Sequence, residues 1–399
     1  MDDISISHHK AVGERDADVA GDHDGDTTAH DRQCRAESDA SATLGLDRPR
    51  RWRSIAAVSG SGPESATILR RLRRHLAWRK QRFDVSVGTQ LFIDPWRDPA
   101  RALYLCSWPR SGSTWLAQIV ASAPRTRIVF EPANLGYEDK PSLGTDMISL
   151  PLAGPGDDLG AAGALLERAV TGQLRSYWSD QINEARFVER RVIKDIVGVG
   201  ALPWVAGRWP EMPMVLLLRH PLAVAHSLVS LTWSMNNATT GAQFRAATSP
   251  EPDPTLLGEA LLREVAQWAD DYGWAMSHPA CRRSHVIFYE TLVADPSSEL
   301  DRLAEFLRSS SSHWRSWRFD ESVVERPSFA AFRRSSASTE EWIDSWSNSY
   351  AAGTLEQAAA VIAAAGLSGI YGPGPLPLVD PSIALATVRA ARGSREAGE

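Results

Sequence analysis

The stretch ALYLCSWPRSGSTWLAQIV, residues 102–120, sets Pro109, Arg110, Ser111, Gly112, Ser113 and Thr114 between an apolar run and an amphipathic helix that begins at about Trp115. Strand, small-residue loop and helix form the layout of a phosphate cradle. Gly112 permits a sharp bend, and the amides that follow point to a helix N-terminus, where the dipole favours an anion. Ser111, Ser113 and Thr114 add hydroxyl donors. Arg110 adds a permanent cation with a planar fork suited to phosphate-like oxygens. The nucleotide spelling G-x-x-x-x-G-K-[ST] is absent. Such a loop can hold a 5′-phosphate without magnesium, because the arginine and the amides balance its charge. The plainer reading is a Gly-Ser turn between a strand and a helix.

A second cluster of the same kind is MVLLLRHPLAVAHSLVSL, residues 214–231. Arg219 closes a strand, Pro221 takes a favoured first-turn helix position, and Ser227 follows Arg219 by eight residues. If the chain returns across the helix N-terminal region, both side chains can reach one anion. The alternatives are a helix-terminal ion pair for Arg219 and a packed hydroxyl for Ser227. Two strand-turn-helix anion sites in one sheet suggest a ligand with two separate phosphates. His220 reads as structural, and His226 as a lesser functional candidate.

Taken together, these segments resemble the sulfotransferase family. W-P-R-S-G-S-T-W is similar to its 5′-phosphosulfate loop, and R-H-P-L-A-V-A-H-S to its 3′-phosphate segment with the same arginine-to-serine offset. Y-E-T-L-V-A-D-P, residues 289–296, is similar to the strand end and helix start that follow. The resemblance spans about residues 100–310. It implies the donor 3′-phosphoadenosine 5′-phosphosulfate (PAPS), used as co-substrate with no metal required. It also implies roles. Arg110 stabilises the leaving 5′-phosphate oxygen, and Ser111, Gly112, Ser113, Thr114, Arg219 and Ser227 bind the donor. Trp115 and Tyr289 offer aromatic faces to the adenine, the alternative for each being core packing, and Lys194 contacts the sulfuryl group, the alternative being a structural ion pair. Arg333 and Arg334, in the Ser-rich loop 326–338, loosely match a late loop over the 3′-phosphate, although that loop's glycine is missing and Trp342 lies further on.

The chain departs from the cytosolic branch at the base. Where that branch has histidine after K-T, V-I-K-D-I places Ile196. The spelling I-V-F-E-P instead resembles the carbohydrate-type branch and makes Glu131 the expected base, with Asp195 as runner-up. Glu131 could otherwise be an ion-pair partner of Arg110 or Lys194 that merely organises the site. Strand alternation turns Asp195 away from Lys194. The implied activity is sulfuryl transfer to a hydroxyl of a carbohydrate, glycolipid or small metabolite. Two other readings stay open: a P-loop nucleotide-dependent kinase using magnesium, and a non-catalytic PAP- or nucleotide-binding protein.

Positioning these residues requires a particular scaffold. Apolar runs at 102–106, 127–130, 190–196, 212–218 and 285–290 alternate with helical segments near 114–123, 201–209, 221–233, 256–277 and 296–308. That rhythm predicts a P-loop-like three-layer α/β domain, with a central parallel sheet covered by helices on both faces. The segments 133–186, with a helix near 161–178, and 234–255 interrupt it. Lying beyond strand ends, they are expected to wall an acceptor pocket. The expected organisation is a disordered acidic tail over 1–50, a basic helical extension over 51–98, the catalytic domain over 99–372 and a surface tail over 373–399.

The 399 residues carry a net charge of −6, with 43% hydrophobic and 23% charged residues, which argues for a globular chain that is not a general nucleic-acid binder. Cys34, Cys106 and Cys281 are too few and too scattered for a disulfide framework or a metal site. DHDGDTTAHD, 22–31, begins like a calcium loop but has Thr27 at position six and Gln33 at position twelve. The start of the chain has no apolar core like that of a signal peptide, and no apolar run is long enough for a span, so a reducing cytoplasm is expected. The basic helix 67–83 could lie on an anionic membrane surface or border the domain as a surface helix. The oligomeric state is left open.

Overall fold

The computed structural model describes residues 91–134, 149–231, 254–326, 343–344 and 346–396. The acidic tail, the basic helix 67–83, most of the segment 234–255, and Arg333 and Arg334 lie outside the described residues.

Five parallel strands form one sheet: β1 (Ala102–Ser107), β2 (Thr126–Phe130), β3 (Arg190–Asp195), β4 (Met214–Leu218) and β5 (His285–Phe288), in the order β2-β3-β1-β4-β5. Nearly all their residues are buried, as in strands covered on both faces, including the charged Arg190, Arg191, Lys194 and Asp195 of β3. The register pairs Leu105 with Lys194 and Val215, and Phe130 with Lys194. From β1 the chain moves out to β2, returns to β3, and then crosses to β4 on the far side of β1. The order therefore reverses at β1, and ligands of such sheets bind at the strand carboxyl ends beside the reversal.

Alternation sorts the sheet's side chains between two cores. Tyr104, Cys106, Ile193, Leu216 and Phe288 face one layer, made by α2 (Gly160–Val170), α3 (Leu202–Arg208), α4 (Pro221–Ser230) and α5 (Pro254–Ser277). Leu103, Leu105, Val192, Val215 and Ile287 face the other. That second layer is made by α1 (Ser113–Ala121), α6 (Tyr289–Ala294) and α7 (Pro296–Ser310), with the buried indoles Trp314 and Trp317. The expected three layers are present.

Helix starts follow local chemistry. Asp295 caps α7 by accepting a hydrogen bond from the Ser298 amide at 3.1 Å, with Pro296 in the first turn. His220 caps α4 by accepting from the Leu222 amide through Nδ1 at 3.3 Å.

Three expectations need correction. The helix read over 161–178 ends at Val170, because Gly172, at φ +69°, turns the chain there. The C-terminal segment is not a surface tail throughout: α8 (Ala352–Ala364) precedes it, and α9 (Ala384–Glu396) buries Ala384, Leu385 and Val388 in the larger core. Ala384 and Val388 sit one turn apart with Leu385 beside the first, and burying the two larger side chains contributes about 1.5–3 kcal/mol each. Finally, residues 92–98 belong to the fold. Ile93 bridges to Phe187, and the buried Asp94 holds Arg191 at 2.5 Å and Arg127 at 3.2 Å. Asp180 holds Arg127 from the other side at 2.6 Å. Among the described residues no helix is long and apolar enough to cross a membrane.

Candidate active site

Each strand delivers one candidate residue at its carboxyl end. Across the sheet they run Glu131 after β2, Lys194 in β3, Arg110 after β1, Arg219 after β4 and Tyr289 after β5. Sequence segments nearly two hundred residues apart thus meet along one edge.

The loop after β1 is held in an uncommon shape. Arg110 has φ +66° and Gly112 has φ +85°. Only glycine adopts the left-handed region at little cost, so Arg110 is strained there by an amount of order 1–3 kcal/mol. Gly112 also lies flat against Tyr289, for a Cβ at this position would stand 2.7 Å from the ring's Cδ2. Gly112 is the residue before α1, and no side chain caps that helix. Its first amides are therefore left to a ligand or to water. Ser111, Ser113 and Thr114 are buried in the same turn. Behind the loop, the Tyr272 hydroxyl accepts from the Trp108 amide at 3.0 Å and donates to the Leu217 carbonyl at 2.8 Å. The Trp108 indole donates to Asp271 at 2.8 Å.

The two candidate anion loops are joined. The Arg110 Nε donates to the Ser227 hydroxyl at 3.0 Å, and the Arg219 Nη1 donates to the Arg110 carbonyl at 2.8 Å. Arg219 and Ser227 do converge, but their meeting point is Arg110. The Arg219 guanidinium also lies 4.5 Å from the Tyr289 ring centroid. Burial pulls the Arg110 guanidinium down, and the like charge of Arg219 pulls it further. An anion between the two groups relieves that repulsion.

Glu131 and Lys194 form a buried ion pair through Oε1 and Nζ. Glu131 has φ +44°, accepts from the Asn134 side chain at 3.3 Å, and donates its amide to the Lys194 carbonyl at 2.7 Å. The Lys194 ammonium sits 4.4 Å from the Phe130 ring centroid. Asp195 faces the opposite core, as alternation requires. It accepts from the Tyr104 hydroxyl at 2.9 Å and from the Val197 amide at 2.9 Å, and burial pushes its carboxyl up.

The aromatic candidates divide. Trp115 is half-buried and donates its indole N–H to the Val324 carbonyl at 3.1 Å. Tyr289 begins α6 instead of ending the strand, and its buried ring is taken up by Gly112 and Arg219. His220 is structural. It caps α4, stacks on Trp346 at 4.5 Å, and burial holds it down to about 4. His226 hydrogen-bonds the Tyr350 hydroxyl through Nδ1 at 3.0 Å, and burial lowers it too. Sequence reasoning missed Asp271, Tyr272, Asn134 and Glu290. The first two lie mid-helix in α5, where no local signal separates a site carboxylate or phenol from core residues.

The family model for sulfotransferases matches residues 103–312, which includes every one of these strand ends. The chain belongs to the sulfotransferase family. Among solved structures, the sulfotransferase domain from the curacin biosynthetic pathway is 18% identical, with a TM-score of 0.28 over 56% of this chain and 77% of that one. The sulfotransferase domain from the Synechococcus PCC 7002 olefin synthase is 15% identical, with a TM-score of 0.32 over 66% of this chain and 95% of that one. Sulfotransferase STF9 from Mycobacterium avium is 15% identical, with a TM-score of 0.32 over 74% and 89%. No curated protein gives a significant match.

Proposed function

We propose that this sulfotransferase-family protein moves a sulfuryl group from PAPS to a hydroxyl of a carbohydrate, glycolipid or small metabolite, releasing 3′-phosphoadenosine 5′-phosphate (PAP). The observation that carries the reading is the junction of the two anion loops at Arg110, which suits one ligand with phosphates at two separated positions. The donor set fits such a ligand: two guanidiniums repel each other, α1 has no side-chain cap, and Gly112 leaves no Cβ in the cradle.

Arg110, Ser111, Gly112, Ser113 and Thr114 would hold the 5′ end, and Arg219 and Ser227 the 3′-phosphate. Trp115 offers an aromatic face to the adenine, while Tyr289 serves as a floor under both loops. Arg333 and Arg334 remain candidates for the 3′-phosphate. PAPS, when bound, supplies the sulfuryl group and the leaving bisphosphate.

Catalysis by this chain is then positioning plus charge stabilisation. Glu131 takes the proton of the acceptor hydroxyl. Its protonation neutralises one half of the ion pair and leaves the Lys194 ammonium for the sulfuryl oxygens. Arg110 meets the charge that develops on the leaving 5′-phosphate oxygen. Glu131 is favoured over Asp195, whose carboxylate is fully buried and bonded to Tyr104 and Val197 on the opposite core. The sugar preference rests on the F-E-P spelling at 130–132. A cytoplasmic setting and a membrane contact through 67–83 belong to the same proposal.

The test is calorimetric titration with PAP, ADP and ATP without magnesium, beside Arg219→Ala. Losing one charged phosphate contact weakens PAP by roughly 1.5–3 kcal/mol, about ten- to hundredfold. No preference for PAP over ADP would sink the donor assignment and revive the kinase reading. PAP binding without transfer to any of a broad panel of acceptors would favour a non-catalytic nucleotide-binding protein.

A further inference from the structure

The residue after Tyr289 is Glu290, a carboxylate only 1% exposed, and the mechanism above makes no use of it. Its Oε1 accepts from the His220 amide at 2.8 Å, and its Oε2 accepts from the Tyr371 hydroxyl at 3.0 Å. His220 directly follows Arg219, so the first bond grips the turn that carries the proposed 3′-phosphate arginine. Burial pushes the Glu290 carboxyl up, while the His220 amide and the Arg219 guanidinium pull it back toward the charged form.

One of the two partners of this carboxylate, Tyr371, comes from beyond the region matched to the family. Tyr371 packs edge-on to the His220 ring at 4.9 Å, and Trp346 stacks on the same ring at 4.5 Å. The His220 Nε2 lies 3.4 Å from the Gly372 carbonyl. The turn is thus clasped from behind by residues 346–372, while Tyr289 supports the Arg219 guanidinium. A buried carboxylate with two bonds and a nearby guanidinium fixes its partners more firmly than a neutral contact does.

We propose that Glu290, tied to Tyr371, is a positioning residue for Arg219, so that the C-terminal segment around Tyr371 is a working part of the 3′-phosphate site. The inference rests on the donor assignment made above. It places the selectivity for a 3′-phosphorylated nucleotide partly outside the strand-loop-helix motifs. Arg219 makes the contact, and Glu290 and Tyr371 set where it stands.

The test uses the full chain and calorimetry with two probes, PAP and adenosine 5′-monophosphate (AMP), which lacks the 3′-phosphate. Tyr371→Phe is expected to weaken PAP about fivefold and to leave AMP within about twofold. Glu290→Ala is expected to weaken PAP at least about tenfold with AMP little changed. Glu290→Gln keeps an acceptor for the His220 amide and is expected to stay within about threefold of wild type. In steady state, Tyr371→Phe raises the donor KM and leaves kcat unchanged.

Equal losses for PAP and AMP would overturn the proposal, as would wild-type PAP affinity in a folded Tyr371→Phe chain. A Glu290→Gln chain as weak as Glu290→Ala would assign the effect to charge and overturn positioning. If Glu290→Ala does not fold, Tyr371→Phe still decides. A wild-type chain with no preference for PAP over AMP would instead sink the donor assignment itself.

Discussion

Gly112→Ala perturbs the loop at the point where backbone shape and packing are both committed. The added methyl meets two obstacles. The backbone stands at φ +85°, a region that costs a non-glycine residue of order 1–3 kcal/mol. The new Cβ would lie 2.7 Å from Tyr289 Cδ2 and 2.8 Å from Cε2. That ring has little freedom to retreat, because it is buried and the Arg219 guanidinium lies 4.5 Å from its centroid. Overpacking against a fixed group adds about 1–3 kcal/mol. The sum of about 2–6 kcal/mol is shared between stability and donor affinity, since a ring that moves takes Arg219 with it. Thermal unfolding is expected to show a fall of roughly 5–10 °C. Calorimetry is expected to show PAP binding weakened beyond what the loss of stability explains. Tyr289→Ala in the Gly112→Ala background separates the two parts. It removes the contact and leaves the strain, so the double-mutant cycle is expected to return about 1–3 kcal/mol of coupling. A Gly112→Ala chain that melts and binds PAP as the wild type does would refute this account of the loop.

Glu131→Gln keeps the shape of the buried pair and removes the proton acceptor. Turnover is expected to fall by roughly 10²–10⁴-fold with PAP affinity held, and undiminished turnover would pass the base role to another group. Asp271, buried beneath Trp108, has its carboxyl raised from 3.8 to about 6, chiefly by desolvation. The folded chain therefore binds more protons than the unfolded chain between about pH 4 and 6. The penalty of about 3 kcal/mol is fully present above pH 6 and is relieved as pH falls toward 4. Asp271→Asn is expected to remove that component from the denaturation midpoint measured against pH, and identical slopes in the two chains would contradict it. Asp94→Ala strips a buried carboxylate from Arg127 and Arg191, at an expected cost of about 3–5 kcal/mol in urea unfolding. A loss no greater than that from breaking the exposed Arg208–Glu167 pair would show that the cluster carries little stability.

Much of the fold was legible because its signals are local. Buried apolar runs alternating with amphipathic helices specify a covered parallel sheet, and the observed strands lie within a few residues of those runs. Arg110, Gly112, Arg219 and Ser227 were legible as candidates because each sits in a strand-turn-helix segment whose backbone shape follows from its own residues. The side-chain period of two separated Lys194 from Asp195, and the structure places them on opposite cores.

Other features depend on pairings that no local pattern encodes. Strand order decides that Glu131 meets Lys194 and that Arg110 reaches Ser227, contacts across 63 and 117 residues. Asp94, Asp271, Glu290 and Tyr371 read as ordinary residues in the chain, and each becomes a bonded buried group through partners distant in sequence. Burial sets what such a group can do. It raises the cost of an unpaired charge and so makes each distant partner obligatory. The sequence by itself determined the layers and the two strand-turn-helix loops that bear the candidate residues. Which loops adjoin, and which buried carboxylates brace them, was decided only by the tertiary structure, because proximity across a sheet follows from strand order and not from spacing along the chain.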